Sequence, residues 1–176
     1  EMPAVHRLEI DFSGLLVLGL TSEAHRHLSR QFADRLVGKR YMALVDGLVF
    51  GEEGEIRLAF RLDPDNRPHQ IYDPVQGKVG ISRWRRIETH CDATLVEFTP
   101  LTGRTHQLRL HASHPLGLGC PIVGDRLYGK GGPGESLRLH ATWLQFLHPE
   151  TEQTMTFYSE APFARDRLRN QALLLG

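Results

Sequence analysis

Ile56, Leu58, Phe60 and Leu62 alternate with Arg57, Ala59 and Arg61, a strict period of two. Successive side chains of a strand point to opposite faces, so this pattern predicts a strand with one face buried and one in water. Other segments supply companions for it. Tyr41, Ala43 and Val45 alternate with Met42 and Leu44 within residues 40–50, with a break at Asp46-Gly47. Residues 80–87 and 94–98 read as strands separated by a polar turn at His90-Cys91-Asp92, and residues 137–147 and 154–158 as two more, joined by a turn at His148-Pro149-Glu150. The run at residues 15–20 is nearly all apolar and predicts a short buried strand.

Helical signals occur in three places. Thr21-Ser22-Glu23 offers a capping hydroxyl and an early acid, and Ala24, Leu28, Phe32 and Leu36 follow at intervals of four. That helix is expected to end near Gly38, with a basic, His-rich outer face. Thr102-Gly103-Arg104-Thr105 is a turn, and Thr105 is placed to cap a helix over residues 106–113, on which His106 and Arg109 share a face. Read as a strand, the same segment would instead align Gln107, Arg109 and His111. Residues 164–174 predict a short C-terminal helix. Residues 63–78, rich in Asp, Pro, Asn and Gly, predict a long ordered loop of the kind that often carries function.

At 176 residues the chain fits one globular domain whose core needs no metal or disulfide. Cys91 and Cys120 have no paired-motif spacing, which favours a reducing, cytoplasmic setting. No apolar run approaches the roughly 20 residues of a membrane span. The 21 basic residues balance 21 acidic ones, so any nucleic-acid contact must come from local clustering. Three clusters exist: Arg83-Trp84-Arg85-Arg86; Arg26, Arg30, Arg35, Lys39 and Arg40; and Arg104 with Arg109. Singly, each also fits a solvated face. The pairs His25/His27 and His111/His114 lack a Cys or carboxylate at zinc-site spacing, so no metal is expected. Lys130-Gly131-Gly132-Pro133-Gly134 lacks the Gly-Lys-Ser/Thr ending of a phosphate loop, and no Gly-x-Ser-x-Gly element occurs.

What remains is a set of strong polar groups in separate places: Arg7, Glu9 and Asp11 within His6–Gly14, Tyr41 opening a strand, and Arg104 and Arg109 after a Thr-Gly turn. A carboxylate, an aromatic ring and an arginine make sense together where a planar base is stacked and a carboxylate acts on its sugar.

These pieces resemble the RluA-type family of RNA pseudouridine synthases. The matching segments are His-Arg-Leu-Glu with Ser13-Gly14, Lys39-Arg40-Tyr41-Met42-Ala43-Leu44-Val45, Asp65-Asn66-Arg67-Pro68 with Gln70, and Gly77-Lys78. Further along come Leu101-Thr102-Gly103-Arg104-Thr105-His106-Gln107-Leu108-Arg109-Leu110-His111, Gly124-Asp125-Arg126-Leu127-Tyr128-Gly129, Leu139-His140-Ala141 and His148-Pro149. They keep the family's order as far as about Pro162. The Thr-Gly-Arg-Thr-His-Gln-Leu-Arg segment is the most specific, and the Asn-Arg-Pro loop leans toward the subgroup acting on ribosomal and transfer RNA.

The resemblance implies an α+β fold with a mixed, mainly antiparallel central sheet, flanking helices and a cleft across its middle. It implies one catalytic domain over residues 1–176, without the family's usual N-terminal segment. The implied reaction is cofactor-free: uridine leaves its sugar, turns, and is rejoined through carbon. Glu9 stands at the catalytic position, to attack the anomeric carbon or to assist deprotonation of the sugar. Arg7 would enter the RNA in place of the flipped nucleotide. Tyr41 would stack on the uracil, and Arg109 would pair with the Glu9 carboxylate and keep it ionised. Arg104 and Lys78 would contact phosphates. The implied partner is structured RNA, a ribosomal or transfer RNA stem-loop, bound by a monomer with no membrane involved. The chain departs from the family's pattern at Glu9, where an aspartate is usual, and at Phe12, where a threonine is usual. Asp11 is the alternative nucleophile, and a catalytically silent RNA-binding module is the alternative function.

Overall fold

The structure is a computed structural model and describes residues 12–164. In chain order its elements are β1 (Ser13–Gly14), α1 (Ser22–Ala33), β2 (Gly38–Asp46), β3 (Glu53–Leu62), β4 (Gln70–Tyr72), β5 (Lys78–Thr89), β6 (Ala93–Pro100), α2 (Gln107–Ser113), β7 (Leu139–Leu147) and β8 (Thr154–Tyr158). They gather into two compact units. One holds the described residues up to Tyr41 and those from His140 onward; the other is Met42–Leu139. The ladder of β1 with β7 is parallel, and β3–β4, β3–β5, β5–β6 and β7–β8 are antiparallel. The mixed, mainly antiparallel α+β architecture implied by the motifs is therefore present.

In the first unit, Ser13 lies opposite His140 and Gly14 opposite Ala141. Gly14 has φ 108°, and a Cβ there would strike the Ala141 backbone, so only glycine lets the two chains approach this closely. The Thr21 hydroxyl accepts the Ala24 N–H, capping α1 as the sequence suggested. Leu28 joins Val37, Leu144 and Phe146 in a buried cluster, with Leu15, Val17, Phe32 and Met155 packed against it. The buried Gln31 amide donates to Leu147 O and accepts the Leu147 N–H, both at 2.8 Å, clamping α1 to β7.

Two expectations need correction here. Residues 15–20 do not form a buried strand. The Leu15 N–H still reaches Ala141 O, but the ladder ends there, and Leu16, Leu18 and Leu20 face solvent. The helix also stops early, at Ala33: Arg35 turns left-handed with φ 60°, which leaves Leu36 out of the apolar stripe and exposed.

In the second unit the strand order is β2-β6-β5-β3-β4. Ile56, Leu58 and Phe60 are buried on one face of β3, as their alternation required. Strand β5 places Ser82, Gly80 and Lys78 opposite them. The long loop after β3 contains the short strand β4, which folds back on Phe60, Arg61 and Leu62. Helix α2 covers this face at Gly80, where the Phe60 ring and the Gln107 side chain fill the space a Cβ would need. Thr105 is not its cap. His106 takes that position with a left-handed backbone, φ 55°, and no side-chain capping bond. The C-terminal helix expected at residues 164–174 lies, beyond Ala164, outside the described residues.

Candidate active site

The turn before α2 is locked by one side chain. The Gln107 amide nitrogen has three acceptors in reach of its two hydrogens, Ile81 O at 3.0 Å, Ser82 Oγ at 2.9 Å and Thr102 O at 3.0 Å. Its carbonyl oxygen accepts the Thr102 hydroxyl at 2.6 Å and the Arg104 N–H at 3.2 Å. A buried amide with all its capacity used fixes its surroundings strongly. The Thr-Gly-Arg turn is thereby tied to β5, and it sets the start of α2 and the position of Arg109.

Arg109 is buried on α2. Its Nε donates to Asp125 Oδ2 at 2.9 Å and its Nη2 to Asp125 Oδ1 at 2.7 Å. Asp125 sits just after Gly124, whose φ of 78° turns the chain, and it also accepts the Leu127 and Tyr128 N–H groups at 2.9 and 3.0 Å. Burial alone pushes the Asp125 carboxyl up. The Arg109 and Tyr128 hydrogen bonds, the Arg109 charge and the Leu127 hydrogen bond outweigh it, leaving the carboxyl below its ordinary value. The site therefore contains a fixed, ionised pair whose arginine is held at its Nε–Nη2 edge.

Arg104 and Lys78 gather around Phe60. The Arg104 guanidinium lies 5.5 Å from the Phe60 ring centroid, and Lys78 is the register partner of Phe60 and exposed at the start of β5. No acidic partner pairs with either cation among the described residues. The cluster Arg83-Trp84-Arg85-Arg86 behaves differently. Arg83 pairs with Glu55, Arg85 with Glu97, and Arg86 donates to Val49 O, so these side chains are engaged along the sheet.

In the other unit Tyr41 is half-buried on β2, and the Phe12 ring meets it edge-on with centroids 6.4 Å apart and planes at 76°. Ser13 Oγ lies 2.7 Å from His140 Nδ1, and His140 Nε2 lies 3.0 Å from Ser159 Oγ. Burial lowers the His140 pKa, opposed by its bond to Ser159. The Ser-Gly and Leu-His-Ala segments, 127 residues apart, thus meet in one polar chain that anchors the end of the first motif. Arg7, Glu9 and Asp11 lie outside the described residues, as does the expected Arg109–Glu9 pairing.

Asp125 had no role assigned from the sequence. Its signal was an acid directly after glycine in a tight turn, but nothing local marks which base it would meet. Among the described residues, no three His, Cys, Asp or Glu side chains converge to hold a metal ion, and no helix is long and apolar enough to cross a membrane.

Residues 1–114 match the family model described as RNA pseudouridylate synthase. The chain is 40% identical over 162 residues to the dual-specificity RNA pseudouridine synthase RluA of Haemophilus influenzae, covering 90% of this chain and 73% of that protein. It is likewise 40% identical to the enzyme of the same name from Escherichia coli strain K12, over 93% of this chain and 75% of that one. Among solved structures, human RNA pseudouridylate synthase domain containing 1 superposes with a TM-score of 0.79 at 30% identity, covering 93% of this chain and 70% of that one.

Proposed function

The chain belongs to the RluA-type family of RNA pseudouridine synthases, and on that premise we propose that it isomerises particular uridines of structured ribosomal or transfer RNA. What carries this reading is 40% identity to such an enzyme across nine-tenths of the chain. The buried Arg109–Asp125 pair supports the assignment of roles.

In this reading Arg7 takes the place of the flipped uridine in the RNA, and Tyr41 stacks on the extruded uracil, a contact worth roughly 1–3 kcal/mol. Glu9 either attacks the anomeric carbon or deprotonates the sugar. The bond from the sugar to the uracil nitrogen breaks, the base turns, and the ring carbon bonds to the sugar as that carbon loses its proton and the freed nitrogen gains one; where Glu9 has bonded to the anomeric carbon, that bond breaks as the carbon bond forms. The change is redox-neutral and uses no cofactor. Arg109 holds the Glu9 carboxylate ionised through its guanidinium, while Asp125 fixes that guanidinium from the Nε–Nη2 side. Arg104 and Lys78 meet RNA phosphates, a role supported by their lack of acidic partners among the described residues. The protein acts in this account as a cytoplasmic monomer.

The test is tritium release from RNA labelled at the uracil carbon that becomes bonded to the sugar. Release by the wild-type protein is expected. RNA binding without release, with release restored in Glu9→Asp, would identify a disabled synthase instead. Binding without release in either protein would identify a silent RNA-binding module.

A further inference from the structure

Tyr128 touches both members of the Arg109–Asp125 pair. Its N–H donates to Asp125 Oδ1, and the Arg109 guanidinium lies over its ring, 5.5 Å from the centroid. His106 and His69 meet the ring edge-on, at centroid distances of 5.5 and 5.7 Å. Its hydroxyl oxygen accepts the Gln70 N–H at 2.7 Å and lies 2.7 Å from His106 Nδ1. One oxygen thus joins segments distant in sequence: the first residue of β4 and the residue that caps α2.

Two further features mark a built joint. His106 keeps a left-handed backbone, φ 55°, uncommon for a residue with a Cβ, and its ring is the one the hydroxyl meets. His69 faces Asn66 O at 2.9 Å with Nδ1 and Leu127 O at 3.2 Å with Nε2, which pins the loop to the turn carrying Tyr128. Beyond those pins the loop turns Asp65, Asn66, Arg67 and Pro68 to solvent, within reach of a polyanion.

We propose that Tyr128 is a positioning residue for the isomerisation, its hydroxyl coupling the start of β4, where the solvent-facing loop 63–69 ends, to the start of α2 and so to the Arg109 guanidinium. In this role it touches neither base nor sugar. RNA held at the loop acts on the reacting groups through Arg109. The inference rests on the pseudouridine synthase reading.

The experiment is single-turnover tritium release by the wild type, Tyr128→Phe, His106→Asn and the double variant, with folding followed by circular dichroism. Phenylalanine keeps the ring beneath Arg109 and removes only the hydroxyl. Asparagine tolerates the left-handed backbone. Each single variant is expected to slow the rate at saturating RNA about tenfold and to raise the half-saturating RNA concentration about threefold. The double variant is expected to be no slower than the worse single one, because both cut the same link. A merely structural tyrosine would lower the amplitude and leave the rate constant of the folded molecules unchanged. Wild-type rate constants in folded Tyr128→Phe, or losses that multiply in the double variant, would overturn the proposal. Absence of release by the wild type would instead overturn the functional reading, and the proposal with it.

Discussion

Arg109 and Asp125 form a two-point ion pair closed off from water, with side chains 3% and 0% exposed. A buried charge that loses its partner is costly, about 3–5 kcal/mol. Asp125→Asn should therefore lower stability by that order, read as a shift of the urea midpoint at unchanged slope. Arg109→Met with Asp125→Leu should be more stable than Asp125→Asn, since neither charge of the pair is left without the other, and should have no turnover. Turnover in the double variant would remove the pair from the catalytic machinery.

His111 gives the fold an acid-sensitive point. It is fully buried against the edge of Phe60, and neither ring nitrogen has a hydrogen-bond partner among the described residues. Burial lowers its pKa from 6.5 to about 4. The folded state therefore refuses a proton that the unfolded state accepts. The stability is fully present above pH 6.5, declines as pH falls through that value, and levels off below about 4, a loss on the order of 3 kcal/mol. His111→Leu should flatten this part of the stability–pH profile. An unchanged slope would show that other groups carry the acid sensitivity.

Arg104 and Lys78 predict a salt effect. If each meets one phosphate, Arg104→Ala and Lys78→Ala should weaken RNA binding across sequences and each reduce the slope of log affinity against log salt by about 1. The single-turnover rate at saturating RNA should stay within about twofold. Arg83→Ala, whose side chain is engaged by Glu55, should leave the salt slope unchanged.

The Phe12 ring is set edge-on against Tyr41. Edge-on aromatic pairs contribute about 0.5–1.5 kcal/mol beyond area burial. Phe12→Thr should cost about that much stability and raise the half-saturating RNA concentration several-fold, because Tyr41 loses its lateral support. A tighter-binding Phe12→Thr would mean that the ring obstructs the base instead.

The strands were legible where alternation was strict. Ile56, Leu58 and Phe60 fell on a buried face because each step along β3 reverses the side chain, whatever the partner. Residues 15–20 misled because an apolar run states a preference for burial but not the presence of a ladder, and β7 pairs only with their first member. Thr105 misled for a related reason: a capping hydroxyl is a local signal, whereas the left-handed residue that takes the cap, His106, meets Tyr128, 22 residues away. The candidate site was legible as motifs in order, and its pairings were not. That Asp125 would hold Arg109, or that Ser13 would meet His140, depends on chain reversals that no spacing encodes.

The central claim is a change in the RNA itself. Ribosomal and transfer RNA transcripts can be incubated with the wild-type protein, digested to nucleosides and separated by chromatography. The account predicts pseudouridine rising one for one as uridine falls, with Arg109→Ala giving none. Bound RNA whose nucleosides contain no pseudouridine after long incubation with the wild type would contradict it.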